Sequence, residues 1–504
     1  MTSRSHSTHP RTSDRGAALP FVAGVLAALL GLAALAVDLG WIYLNAHRLQ
    51  RAADAAALAG VVHLPAFPNR VEADAIAGAT ANGFEPGEGA NTLSWRAVSD
   101  NKLEVTLTSE APSFFTNVLG FSSFPISRTA TAEYIKPVPM GSPTACFGVG
   151  NKDILPSSLS HCSSAEQNFW AAINGDFTAK EHGDPFAVRC IRAGASSDTC
   201  NGPNSDYRAP DGAYYYGIEI PAGKSSFTVL IYDAGFYDRA TPQTETGDYD
   251  GLAYSASGGP TTQFRLYNVD STPLDPTDNP IISSCSRSIG PGQDPGTYKN
   301  KWFSLCTINN PAPGIYVLRV DTSGNGGGNN SYAIGVSTVP NSVPHARVYG
   351  INDMSIFTNA TSGTAYVYLA EIDPIHRGKR LELNFYDPGE NCGGVTGCTG
   401  KPGLDAFVEV IMPNGDTPTC TWQSRNDAGT VTNSGSGKCR IQSTDEGIPQ
   451  FNGEWLTAWI DIPSDYDCDS DCFWRMALDM KNAQDRTTWA ARVIGNPIRL
   501  VPNE

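Results

Sequence analysis

With 504 residues, 50 glycines, 35 prolines and a net charge of −16, the chain is too long for one ordinary core, and its acidity disfavours nucleic acid, because counterion release needs Lys and Arg against phosphates. The charge is uneven: residues 1–60 carry five Arg against three Asp, a balance of +2, which leaves −18 for the remainder. All twelve cysteines lie between Cys146 and Cys472 without the paired CxxC spacing of zinc sites, so disulfides and an oxidising compartment are expected from Cys146 onward.

Residues 1–16 read as a short basic cytoplasmic tail holding Arg4, Arg11 and Arg15. Residues 17–37 are uncharged and, as a helix, span about 30 Å, the thickness of a bilayer's hydrocarbon core. The positive-inside rule then keeps the N-terminus in the cytoplasm and places the rest outside, a single-pass topology in the cell membrane. A cleaved secretory signal has a shorter apolar core. Here the helical composition continues through Trp41 and Tyr43 into LNAHRLQRAADAAALAG, which predicts one helix over 17–60 whose Ala-rich outer half offers a small-residue face.

Those residues also carry a family likeness. Arg15-Gly16, the apolar span, Val37-Asp38-Leu39-Gly40 and the block from Leu49 to Gly60, LQRAADAAALAG, together resemble the N-terminal Tad-type region of TadG-like proteins, which are associated with Flp (tight adherence) pilus assembly. The resemblance covers about a tenth of the chain. It implies a bitopic protein with pilin-like topology, Tad/Flp pilus or envelope partners, and no enzymatic activity. Pilin leaders are cut after a Gly with Glu at the fifth mature position. Gly16 is the processing candidate, but the fifth residue after it is Phe21, preceded by Pro20, so a retained anchor is expected.

Beyond the helix, residues 61–136 read as a small α+β module. VEADAIAGATANGF is a helix ending near Asn82-Gly83. Asp100-Asn101 is a turn, Leu103, Val105 and Leu107 alternate along a half-buried strand, and FPISRTATAEYI is a further strand. Residues 137–143, with three prolines, read as a linker. An internal repeat follows: AYYYGIEIPAGKSSFTVLIYDAG at 213–235 parallels AYVYLAEIDPIHRGKRLELNFYDPG at 365–389. Downstream, FRLYNVDSTPL parallels FVEVIMPNGDTP, GIYVLRVDT from Gly314 parallels GEWLTAWIDIP from Gly453, and SYAIGV parallels TWAARV. The fold class expected is mainly β with an N-terminal transmembrane helix: a pilin-like α+β module, then two tandem β-sandwich, jelly-roll-like domains over 144–345 and 346–504. Matching placement pairs Cys285 with Cys306 and Cys420 with Cys439. Cys190–Cys200, Cys392–Cys398 and Cys468–Cys472 would be local staples, leaving Cys146–Cys162, one choice among on the order of ten thousand pairings.

Three features invite a functional reading, each with a plainer alternative. Asp465, Asp467, Asp469 and Asp471 alternate around Cys468 and Cys472 and would suit calcium. As an EF-hand loop, though, the series lacks Gly at the sixth position and Glu at the twelfth, so an exposed acidic turn is the simpler reading and no cofactor is required. Asp233 and Asp387, each in a repeated YDxG, fit a turn as well as a ligand site. Tyr214, Tyr215, Tyr216, Trp455 and Trp459 would make a sugar-stacking platform if exposed, or core if alternation turns them inward. GxSxG, HExxH and Walker signatures are absent, and Gly217 stands one residue too far from Gly223-Lys224-Ser225 for the last of these.

The leading expectation is therefore a membrane-anchored structural or adhesive protein related to Tad/Flp pilus assembly, not an enzyme. A surface module binding glycans or calcium is the alternative, and a cell-wall hydrolase the least supported.

Overall fold

The computed structural model describes residues 18–64, 68–99, 101–134, 138–148, 155–164, 169–194, 199–236, 251–252, 260–270, 279–290, 295–324, 326–359, 364–389, 406–445, 448–468, 472–479, 484–494 and 498–502. They form two compact units, one of residues 1–135 with 497–504 and one of residues 136–496.

The first unit is built on α1 (Ala18–Val61), 44 residues long, and α2 (Pro68–Ala81). The apolar first part of α1 is not buried inside the protein and is long enough to cross a membrane. Its second part packs through small side chains: Ala52, Ala53, Ala56, Ala57 and Val61 are fully covered, with Val71, Ala75 and Ala79 of α2 in the same core. The two helices approach so closely that a Cβ at Gly78 would lie 2.8 Å from the Ala55 carbonyl oxygen. Strands β1 (Thr92–Ser99), β2 (Lys102–Pro112) and β3 (Ser123–Tyr134) form an antiparallel sheet against the helices. Leu103, Val105 and Leu107 point into that core, as their alternation requires. A fourth strand comes from the end of the chain: Ile498–Val501 pairs with β3, and Arg499 donates to Glu133 at 2.7 Å. Ile498–Val501, which sequence placed in the second β-sandwich, thus belong to the N-terminal sheet.

The second unit consists of β4 (Phe169–Asn174), β5 (Tyr214–Ile220), β6 (Ser226–Tyr232), β7 (Thr261–Tyr267), β8 (Ile281–Ile289), β9 (Trp302–Asn309), β10 (Gly314–Ser323), β11 (Gly328–Val339), β12 (Arg347–Gly350), β13 (Asp353–Asn359), β14 (Ala365–Glu371), β15 (Arg380–Tyr386), β16 (Phe407–Ile411), β17 (Thr419–Arg425), β18 (Val431–Lys438), β19 (Arg440–Gln442), β20 (Trp455–Asp461), β21 (Phe473–Asp479) and β22 (Gln484–Ile494), with shorter bridges between them. In the first half, β9-β6-β11 lies in one sheet and β8-β7-β10-β5 in another; in the second half, β20-β15-β22 and β19-β16-β21-β14 repeat the arrangement. Registers agree as well: Tyr232 pairs with Trp302 and Tyr386 with Trp455.

This places β9 opposite β20 and β10 opposite β21. Sequence had matched the Gly314 strand to the Gly453 strand instead, because both are apolar runs led by Gly, and composition alone does not reveal which sheet a strand joins. The halves are sandwiches joined edge to edge. Strands β4 and β13 insert between β11 and β22, making one continuous sheet, and a single hydrophobic cluster runs through both halves. Residues 138–143 are not a free linker either: Val138 and Met140 are buried, Met140 bridges Gly350, and Glu371 N–H donates to the Pro139 carbonyl.

Disulfides join Cys146–Cys162, Cys190–Cys200, Cys285–Cys306, Cys420–Cys439 and Cys468–Cys472. Cys392 and Cys398 lie outside the described residues. The 285–306 bond ties edge strand β8 of one sheet to edge strand β9 of the other, whereas the 420–439 bond spans the β17–β18 hairpin and ends beside β19. The two bonds therefore close different loops.

Candidate functional site

Asp233 and Asp387 occupy equivalent turns after β6 and β15. Both are buried and adopt positive φ, 46° and 56°. The Asp233 carboxylate accepts the Asn300 N–H at 3.0 Å and that of Asp387 accepts the Gly453 N–H at 2.7 Å, each two residues before the Trp that opens the neighbouring strand. These carboxylates hold the entries to β9 and β20 and are not open to a ligand.

The aromatic residues divide between two faces. Tyr214 and Tyr216 are core: Tyr214 donates to Asp184 at 2.6 Å, and the Tyr216 hydroxyl lies 2.8 Å from that of Tyr332. Tyr215 is half-buried on the opposite side of β5. In β20, by contrast, Leu456, Ala458 and Ile460 take the inward positions, so Trp455 and Trp459 face outward beside Tyr386 and Glu382 of β15. The five residues therefore do not assemble one platform. Trp459 donates its indole N–H to Glu382 at 2.8 Å and is anchored there.

Trp455 lies in a different setting. It packs against Tyr386 and Phe186, with ring centroids at 5.1 and 5.6 Å, and donates to Asp206 at 2.8 Å. Beside it Lys180, fully buried, pairs with Asp206 at 2.8 Å, contacts Asp427, and holds its ammonium 4.9 Å from the centre of the Tyr386 ring. A cavity of about 420 Å³ opens here, lined by Phe186, Asp206, Asn384, Asp427 and Trp455 among others, and a neighbouring one of about 320 Å³ shares Asn426 and Asp427. Asn426 caps its own turn, accepting from Ala428 and Thr430, so that rim is held by local hydrogen bonds. An aromatic floor bordered by carboxylates and amides can stack on an apolar ring face while hydrogen-bonding its hydroxyls. Lys180, Phe186, Asp206 and Asp427 carried no sequence signal: they sit in separate loops, and only folding converges them.

Polar and charged side chains tie Asp184 and Arg208 to the neighbouring strands and add a bond within the sheet. Arg208 grips Asp353 through two bonds and Arg486 donates to Asn174 at 2.6 Å, while Asp184 accepts from Asn174, Ala187 and Tyr214. Burial raises the Asp184 and Asp353 carboxyls above the usual carboxylate range, against the pull of Tyr214 in the first case and Arg208 in the second.

Among the acidic run, Asp465 is exposed and Asp467 accepts the Cys468 N–H at 2.9 Å and faces Arg377 at 3.3 Å. Asp469 and Asp471 lie outside the described residues, as does Gly16. Among the described residues, three or more His, Cys, Asp or Glu do not converge where they could hold a metal.

Residues 16–63 match the family described as "Putative Flp pilus-assembly TadE/G-like", so this stretch is a Tad-type N-terminal region. No curated protein matches the chain. Among solved structures it is similar to the CBM22-1-CBM22-2 tandem domain of Paenibacillus barcinonensis Xyn10C, at 7% identity over 81% of this chain and 92% of that one, with a TM-score of 0.12. A second similarity, to the VP2 subviral particle of infectious bursal disease virus, has 10% identity over 56% of this chain and 76% of that one, with a TM-score of 0.11. At such scores neither likeness bears on fold or function.

Proposed function

We propose that this chain is a membrane-anchored structural or adhesive component associated with Tad/Flp pilus assembly, holding its β ectodomain outside the cytoplasm and carrying out no catalysis. The observation that carries this reading is the Tad-type stretch at 16–63, coinciding with a helix whose apolar half is left uncovered by the protein. Disulfides confined to residues beyond Cys146 support an extracytoplasmic location for the second unit. Deleting the chain from a Flp-piliated cell should reduce surface attachment or pilus number, and protease added to intact cells should trim the β unit. Unchanged piliation and attachment would remove the pilus role.

A second reading is favoured by the Trp455 groove, whose aromatic and amide lining suits a glycan. A glycan array read with and without calcium tests it, with Trp455→Ala expected to weaken capture some thirtyfold and Asp467→Ala to leave it unchanged unless calcium is required. A cell-wall hydrolase remains the least supported, since Asp206 and Asp427 both engage Lys180.

A further inference from the structure

The segment joining β2 to β3 in the first unit is apolar where a soluble loop would be polar. Phe114, Phe115, Val118, Leu119 and Phe121 are all at least half exposed, Val118 at 88% and Leu119 at 75%. No charged residue occurs between Glu110 and Arg128. The loop nevertheless satisfies its own backbone: Ser113 N–H donates to Ser122, Gly120 N–H to Asn117 and Phe121 N–H to Thr116, around the short 3-10 turn Thr116–Leu119. Bare apolar side chains over a partly self-paired backbone suit the interfacial layer, where water reaches the remaining polar groups.

Its position on α1 says which lipid. Asp38, the first residue after the apolar span, is 2% exposed and spends its carboxylate on the N–H groups of Phe114, Phe115 and Thr116, at 2.7 to 3.2 Å. Trp41, one turn further, packs edge-on against Phe114 at 5.4 Å. Counting about 1.5 Å per residue from Leu19, a hydrocarbon core of about 30 Å ends near Asp38, and the headgroup layer covers roughly the next four residues. The loop thus leaves the helix at the level of the interface. Leu39, Tyr43 and Leu44 of α1 are exposed at the same level.

We infer that residues 113–122 form a second membrane contact, a loop dipping into the outer interface of the bilayer that α1 spans and clamped to α1 by Asp38. The inference rests on α1 being a membrane span. The clamp would satisfy, with backbone N–H donors, the one charge between Arg15 and Arg48 and fix the rotation of the helix about its axis.

The full chain in phosphatidylcholine nanodiscs, carrying an environment-sensitive fluorophore on one added cysteine at a time, tests this. A label at Leu119→Cys should be quenched most by lipids spin-labelled near the headgroup and be at least fivefold less accessible to iodide than a label at Ile448→Cys, an exposed site in the second unit. A label at Leu30→Cys should be quenched most by lipids labelled deep in the chain. Asp38→Ala should reduce lipid quenching at residue 119 at least twofold and leave residue 30 unchanged. Iodide access at 119 equal to that at 448 overturns the proposal, as does protection from both lipid and iodide, which would mean a protein covers the loop. If residue 30 also escapes lipid, the membrane span itself fails.

Discussion

The two halves of the β unit place the same residues in the same turn and put different covers over them. In the first half Tyr232, Asp233 and Trp302 stand where Tyr386, Asp387 and Trp455 stand in the second. Over the first trio lies the 157–164 segment: Leu159 is fully buried, and a Cβ at Gly335 would strike both it and Trp302. Over the second lie residues 180–189 and 204–206, which bring buried Lys180 and the Asp206 carboxylate to meet Asp427 of the β17–β18 turn and leave a cavity beside the indole. A shared strand arrangement does not by itself make a site; what packs across it decides whether a groove opens beside the aromatic residue.

The comparison breaks most visibly in the cores. Position 489 on β22, equivalent in register to Ile334 on β11, holds a fully buried Trp whose indole N–H reaches the Leu369 carbonyl of the facing sheet at 3.2 Å. Trp489→Ala should cost about 3–5 kcal/mol of unfolding free energy, through the void and the orphaned carbonyl together. Denaturant unfolding of the full chain in detergent measures it, and a loss under about 1 kcal/mol would mean the second half is not packed as described.

Next in size are the paired turns. Asp233→Ala and Asp387→Ala each remove a charged acceptor from a buried N–H and place Ala at positive φ, for about 2–3 kcal/mol. If the halves are equivalent, the two losses should agree to within about 0.5 kcal/mol. A large difference would show that one turn is carried by its cover segment instead of its carboxylate.

One buried group in each half responds oppositely to acid. In the second, burial and nearby Lys379 lower His376 from 6.5 to about 4, so between those values the unfolded chain binds the proton more readily and stability falls as pH falls. In the first, burial raises Asp321 from 3.8 to about 6 despite Arg319 and Arg265, so the folded state holds the proton more readily and stability falls as pH rises through that window. From pH 7 to 5, His376→Gln should remove about 2 kcal/mol of acid destabilisation, and Asp321→Asn about 1 kcal/mol of change in the other direction. Parallel slopes in both variants would contradict the two burial assignments.

Much of this framework could be read locally. The long helix follows from an uncharged run continuing into helix formers, the Leu103-Val105-Leu107 strand from period-two alternation, and the Asp233 and Asp387 turns from a short polar residue beside Gly. What could not be read is remote in sequence. Strand Ile498–Val501 crosses the whole chain to reach β3, and β4, inside the range read as the first sandwich, hydrogen-bonds to β13 as well as β11 and fuses the halves. Backbone pairing of this kind leaves no periodic trace, since any apolar strand presents the same N–H and C=O groups. The groove was illegible for a similar reason: Trp455 stood out, but Lys180 and Asp427 are 247 residues apart and acquire meaning only in contact.

The smallest expected effect on stability falls at the place where the halves differ most in use. Trp455 is half-buried, its Leu456 neighbour carries the inward packing, and Asp206 retains Lys180 when the indole is lost. Trp455→Ala should therefore cost only about 1 kcal/mol, whereas Trp302→Ala, beneath the 157–164 cover, should cost roughly twice that. If the groove takes a ligand, the ranking inverts for binding: aromatic anchors in a partly desolvated pocket contribute about 2 kcal/mol or more, so Trp455→Ala should weaken capture of an array-identified glycan some thirtyfold and Trp302→Ala should leave it unchanged. Equal weakening by both would mean that binding merely follows stability, and the groove would then be a gap between segments with no ligand of its own.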